Sequence, residues 1–236
     1  MDKSKLLTAL VLVFCLLFVL FQVNDNEGLA ESTRGLIVPI ITAFYFLNAK
    51  YKSKFFSAFL VLFSISELLY LFDDYILYTV DYLLGNGLNI AAYICFIVAI
   101  LKTLDIAYIL KNCRLQLSVL IVLNSYIVYV LWDIQYSIRD FGSIGYEYIV
   151  EMIYNIVTLL LLSIALLNYL YKDDKRSLLL FLGALSLLFS EVIQIAYYYI
   201  AERELLNMSY STLLILAFYL FYIQSTIKEE EVPSLS

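Results

Sequence analysis

Two carboxylates stand where an apolar helical segment has no packing reason to carry one. Glu67 and Glu191 each lie in the second half of a long apolar run, and each follows a serine, as Ser66-Glu67 and Ser190-Glu191. A carboxylate at such depth costs about 2.5–3.5 kcal/mol on insertion scales, so neither is filler. At helical spacing Ser64, Glu67, Tyr70 and Asp74 share one face, as do Glu191, Gln194 and Tyr198. Two carboxyls in one low-dielectric site cannot both ionise cheaply, so such a pair divides into an acid and a base. That division is what hydrolysis of an ether or glycosidic bond requires, one group protonating and the other activating water or steadying a cation. The competing reading is structural: each Glu hydrogen-bonds a neighbouring Tyr or Asn and ties two helices together. Glu191, farther from the membrane edge, is the expected acid. Tyr70, Asn89, Gln194 and Tyr198 are the residues expected to bind substrate.

The elements that must position these groups follow from composition. Of 236 residues, 63% are hydrophobic and 15% charged, and the mean hydropathy is +0.87. That describes a membrane protein and excludes disordered, collagen-like, coiled-coil and disulfide-scaffold chains. There is no His, which removes the commonest general base and the usual zinc or haem ligand. No metal-ligand cluster, phosphate-binding glycine loop or nucleophile elbow is present, so no cofactor is expected. A net charge of −6 without a basic stripe argues against nucleic acid. A bilayer core of about 30 Å needs about 20 helical residues. Eight stretches qualify: 6–23, 35–49, 55–72, 84–104, 115–134, 148–170, 177–200 and 205–226, the second being short unless it begins before Gly35. The expected fold is all-α, a single integral membrane domain over 1–236 with eight transmembrane helices.

Basic residues give the orientation. Lys3, Lys5, Lys50, Lys52, Lys54, Lys102, Lys111, Arg114, Lys172, Lys175, Arg176 and Lys228 all fall on one side of this threading, leaving Arg34, Arg139 and Arg203 on the other with most of the loop carboxylates. The positive-inside rule then makes both termini cytoplasmic, in the cytoplasmic membrane if the source is bacterial. Read instead as a signal peptide, the first span would be cleaved near Gly28-Leu29-Ala30, but its apolar run is long for that role. Cys15, Cys95 and Cys113 are odd in number and are expected as apolar filler, not as a disulfide. Residues 229–236 form an acidic tail on the cytoplasmic side.

The chain also repeats itself. Leu47-Asn48-x-x-Tyr51-Lys52 precedes Ser66-Glu67, and Leu167-Asn168-x-x-Tyr171-Lys172 precedes Ser190-Glu191. Four helices per copy is even, so the copies, about 1–112 and 113–228, are expected to be parallel about a pseudo-two-fold axis along the membrane normal, unlike inverted transporter repeats. Further polar residues, Asn89 and Tyr93, Asn124 and Tyr126, Tyr154 and Asn155, Tyr219 and Gln224, either line a central cavity or glue helices together. Trp132 and Asp133 are expected at the outer end of span five, and Asp73-Asp74 in a solvated loop.

Eight spans, the Ser66-Glu67 carboxylate, Gly87-Leu88 near the start of span four, and Leu188-Phe189-Ser190-Glu191 before an aromatic last helix ending near Gln224 resemble the YhhN family, which includes the lysoplasmalogenases. The resemblance covers roughly residues 35–226. It implies cleavage of the vinyl-ether bond of a lysoplasmalogen, a membrane lysolipid, to a fatty aldehyde and a glycerophospho-ethanolamine or -choline, with Glu67 and Glu191 in the places of the family's paired Asp residues. Ser66 stands for the family's Gly, Val38-Pro39 for its Lys-Pro, and its span-four His has no counterpart here. A non-enzymatic relative, transporting or binding a small molecule or lipid through the same carboxylates, is the alternative. The sequence leaves oligomeric state open.

Overall fold

The computed structural model describes residues 3–24, 26–49, 52–69, 71–72, 76–138, 145–200 and 203–227. Tyr70, the Asp73-Asp74 pair, Lys50, Tyr51, Arg139, Lys228 and the tail 229–236 lie outside the described residues. Among the described residues nine α-helices form: α1 Lys3–Val23, α2 Glu27–Asn48, α3 Lys54–Leu69, α4 Tyr78–Leu101, α5 Ile106–Asn112, α6 Arg114–Ile138, α7 Tyr146–Lys172, α8 Lys175–Tyr199 and α9 Glu204–Thr226. All but α5 correspond to the eight apolar runs. The short α5 begins where the Asp105 side chain accepts the Tyr108 amide, a local cap that the apolar pattern does not reveal.

Six helices, α1, α4, α6, α7, α8 and α9, are long and apolar enough to cross a membrane. The other two long helices fall short for different reasons. α3 has only 16 residues, while α2 carries Glu27, Glu31 and Arg34 in its first third. Three boundaries differ from expectation. α2 starts at Glu27, so Arg34 sits two turns inside a helix instead of in a loop. α4 starts at Tyr78, which draws Asp81 into its first turn. α6 continues past Trp132 and Asp133 to Ile138, so those residues do not end it.

The helices meet in a closed circuit. α2 packs on α3, α3 on α4, α4 on α7, α7 on α8, α8 on α9, and α9 returns to α2; α1 lies outside against α2, and α6 against α7. An aromatic layer from α3, α4 and α9 fills the middle. Phe59 stacks on Phe96 with centroids 4.4 Å apart and on Phe218 at 5.5 Å. Phe63 meets Phe218 at 4.5 Å, and Phe96 meets Phe221 edge-on at 4.8 Å. All five rings are buried.

Two glycines permit the closest approaches. A Cβ on Gly183 of α8 would lie 2.5 Å from the Phe221 ring, so only hydrogen at that position lets the ring lie against α8. A Cβ on Gly35 of α2 would lie 3.2 Å from the carbonyl oxygen of Glu67. The second contact brings α2 against α3 beside Glu67, and with it the neighbouring Arg34.

Candidate functional site

Where α3 and α8 finish and α4, α7 and α9 begin, the bundle holds a cavity of about 490 Å³, within the usual range for small-ligand sites. Glu67, Asn89, Glu191, Gln194 and Tyr198 all line it. Five of the six residues expected to act at the site therefore face one space; the sixth, Tyr70, lies outside the described residues. Tyr198 is 50% exposed and stands at the rim.

The two Ser-Glu dipeptides use their serines alike. Ser66 donates to the carbonyl of Gly85 on α4 at 3.2 Å, and Ser190 donates to the carbonyl of Tyr210 on α9 at 2.7 Å. Each serine thus ties its helix to the next one and fixes the direction of the glutamate beside it. The glutamates themselves differ. Tyr93 on α4 and Tyr154 on α7 both donate to Glu191 Oε1, at 2.7 and 2.6 Å, and their phenol oxygens lie 3.1 Å apart. Two phenol donors replace the water that a carboxylate would otherwise lose on burial. Glu67 has no such pair: its Oε2 is buried and accepts no hydrogen bond, and neither does the buried Oδ1 of Asn89.

Arg34 is the residue that sequence reasoning misplaced. Expected among loop charges, it is 7% exposed, lines the cavity and acts electrostatically on both Glu67 and Glu191. Its guanidinium carbon lies 5.7 Å from the centroid of the Tyr210 ring, a cation–π contact. The signal was present: once α2 is extended back to Asn26, Glu31 and Arg34 fall at i, i+3 on a helix. Glu151 was also missed. It lines the cavity and accepts from the Tyr82 phenol at 3.1 Å, which ties α7 to α4. Glu147, Glu151, Tyr154 and Asn155 recur at helical spacing, which was enough to place the last three on one face.

Other polar residues sort into lining and glue. Asn155 and Tyr154 line the cavity, as does Asp81. Ser64, expected on the polar face with Glu67, instead bonds Thr42 of α2 at 2.8 Å and is buried there. Asn124 donates to Ser163 at 2.7 Å, Tyr219 pairs with Thr8 of α1 at 3.0 Å, and Gln224 accepts from Arg176 at 3.3 Å; all three join helices away from this cavity. Tyr126 is 64% exposed on the outside of α6, in the place of a membrane-facing side chain.

Among the described residues no group of three or more Cys, Asp or Glu is arranged to hold a metal ion. The arrangement is instead suited to proton transfer, with two carboxyls of unlike surroundings and one buried guanidinium around a common space. No family model, curated protein or solved structure matches the chain.

Proposed function

We propose that this chain is an eight-span membrane protein built from two parallel four-helix copies, and that the acid-lined cavity hydrolyses the vinyl-ether bond of a lysoplasmalogen. The observation that carries the reading is that Glu67 and Glu191 line one cavity in unlike hydrogen-bonding environments. The contact circuit supports the duplication. The α2/α3, α3/α4 and α4/α7 contacts are matched in order by α7/α8, α8/α9 and α9/α2. The serine tethers to Gly85 and Tyr210 match as well. In this threading the cavity opens on the outer side, and both termini are cytoplasmic.

The hydrogen bonds favour the reverse of the acid assignment made from depth. Glu191, held by two phenols, is the carboxylate; Glu67, whose Oε2 receives no donor, carries the proton once the substrate phosphate has engaged the Arg34 guanidinium that otherwise acts on it. Glu67 gives that proton to the vinyl carbon remote from oxygen, leaving an oxocarbenium ion. Water adds to the cationic carbon and passes a proton to Glu191. The resulting hemiacetal loses its hydroxyl proton to Glu67 while Glu191 protonates the departing glycerol oxygen, so aldehyde and alcohol leave and both carboxyls are reset. Arg34 is the natural partner of the phosphate, and Asp81 and Glu151 supply negative charge for the ammonium end of the head group.

The test is aldehyde release by purified protein from a panel of lysoplasmalogens and ester lysolipids. Release from vinyl-ether lipids alone, lost in Glu67→Gln and Glu191→Gln, is the expected result. Folded wild-type protein that releases no aldehyde from any of them would sink the reading. One observation favours transport or binding instead: a second cavity of about 470 Å³ lies at the opposite end of the bundle. The stacked Phe59, Phe96 and Phe218 rings lie between the two, so transport would require that layer to part. Substrate flux in proteoliposomes without aldehyde formation would select that alternative.

A further inference from the structure

The second cavity has the opposite electrostatic character. Lys52, Lys172 and Arg176 line it against a single carboxylate, Asp174. That carboxylate accepts the Ser177 amide at 2.6 Å as the cap of α8, while Lys52 donates to the Phe46 carbonyl at 2.7 Å and Arg176 to Gln224 at 3.3 Å, neutral partners that leave three cations facing one anion. Tyr45, Phe56, Phe96 and Leu180 form apolar walls. One further lining residue is anomalous: Asn168 is 3% exposed, and its Oδ1 accepts no hydrogen bond.

The repeat sharpens the anomaly. Asn168 lies in the last turns of α7 and Asn48 is the last residue of α2, each in the Leu-Asn-x-x-Tyr-Lys motif. Asn48 donates to the Tyr222 phenol of α9 at 3.2 Å. Counting from the tethered carbonyls of Tyr210 and Gly85, the α4 residue in the place of Tyr222 is Ile97. An isoleucine offers nothing to an amide, so that cross-helix partner is missing in the second copy; the atom left unpaired there is the carbonyl Oδ1, the face of the amide opposite the Nδ2 that bonds Tyr222 in the first. A buried carbonyl left so is destabilising unless something else donates to it.

We propose that this basic cavity binds a glycerophosphate group, with its phosphate against Lys52, Lys172 and Arg176 and a glycerol hydroxyl donating to Asn168 Oδ1. Simple anions satisfy the cations alone, whereas a phosphate ester bearing a hydroxyl satisfies the asparagine as well. The group has two sources with the same chemistry: free glycerol phosphate, or the head group of phosphatidylglycerol in the adjoining leaflet. The inference is independent of hydrolysis in the other cavity.

The test uses full-length protein in phosphatidylcholine nanodiscs. Thermal unfolding is followed while sn-glycerol 3-phosphate is added, and separately with phosphatidylglycerol replacing part of the lipid at fixed ionic strength. Stabilisation in the first arm identifies the soluble ester, in the second the lipid head group, and either supports the site. Arg176→Gln is expected to raise the half-saturating concentration about tenfold, the loss of one charge-assisted hydrogen bond. Lys111→Gln, an exposed residue outside the cavity, should leave it unchanged. Asn168→Leu should weaken glycerol phosphate but not sulfate. No stabilisation in either arm, equal binding by Arg176→Gln, or sulfate binding to wild type as tightly as glycerol phosphate would overturn the proposal.

Discussion

The Ser66-Glu67 and Ser190-Glu191 dipeptides have the same words, the same serine tether to the next helix and different surroundings. Counting from Asn168 and Asn48, Arg34 of α2 stands where Tyr154 of α7 stands. Counting from the tethered carbonyls, Phe218 of α9 stands where Tyr93 of α4 stands. Glu191 therefore receives two phenols, while the corresponding positions around Glu67 offer a guanidinium and a bare phenyl ring. Two backbone settings of the same kind are differentiated entirely by side chains. A symmetric pair of carboxylates would compete for one role; this exchange of Tyr for Arg and Tyr for Phe gives the two unlike surroundings, the asymmetry on which the proposed division rests.

The sharpest way to break that comparison is to remove the carboxylates singly. Glu67→Gln and Glu191→Gln should each slow aldehyde release by about 10²–10⁴-fold, the usual scale for a lost general acid or base. If the glutamates only join helices, each variant melts at a lower temperature and any turnover is unchanged. Next in size are Tyr154→Phe and Tyr93→Phe. Each removes one donor from Glu191 Oε1 and is expected to slow release about ten- to a hundredfold, matching about 1.5–3 kcal/mol for a hydrogen bond to a charged group. Phe218→Tyr, added to Tyr93→Phe, moves a phenol to the Glu67 side; recovery of the lost rate there would break the division of roles. Gly183→Ala acts through the layer beneath. Its methyl group would lie 2.5 Å from the Phe221 ring, and the forced shift should lower stability by about 1–3 kcal/mol, read as a fall in Tm.

The eight long helices were legible because apolar runs of helical length announce themselves; the short α5 was not. Glu67 and Glu191 were legible because the membrane penalises a carboxylate that has no task. What the runs concealed lay at their polar ends. Arg34 and Asp81 look like loop charges when a span is taken to begin at its first apolar residue, while Glu151 lies inside the expected 148–170 run, where the apolar count passes over it. In the structure α2 and α4 begin about two turns earlier than the apolar count allows, whereas α7 begins close to its expected start and carries Glu151 well inside. Hydropathy averages over a helix circumference, whereas a cavity polarises only one face, so charges on that face read as span boundaries. The pairing of Tyr93 with Tyr154 at Glu191 joins α4, α7 and α8 across a long stretch of chain, and no local pattern encodes it. The Glu191 donors show the same limit: depth along one helix is visible in the sequence, and donors arriving from two others are not.

The smallest expected effect tests the serine tethers that the copies share. Ser190 is 2% exposed and its bond to the Tyr210 carbonyl measures 2.7 Å; the Ser66 bond to the Gly85 carbonyl is longer, 3.2 Å, and only partly buried. Hydrogen bonds between membrane helices average about 0.6 kcal/mol, with the best near 1.7. Ser190→Ala should approach the upper figure and Ser66→Ala the lower or less, both read as shifts in Tm. Loss of either serine also frees the rotation of the glutamate next to it. If the tether matters to the site, Ser190→Ala slows turnover by more than its change in Tm explains, because it loosens Glu191 beneath two phenols that have a fixed reach. Ser66→Ala should slow it less, since no donor pair on the other side depends on where Glu67 Oε2 lies. Equal effects of the two substitutions on rate would mean that the glutamates are held by their own helices, and that the difference between the copies lies only in the residues around them.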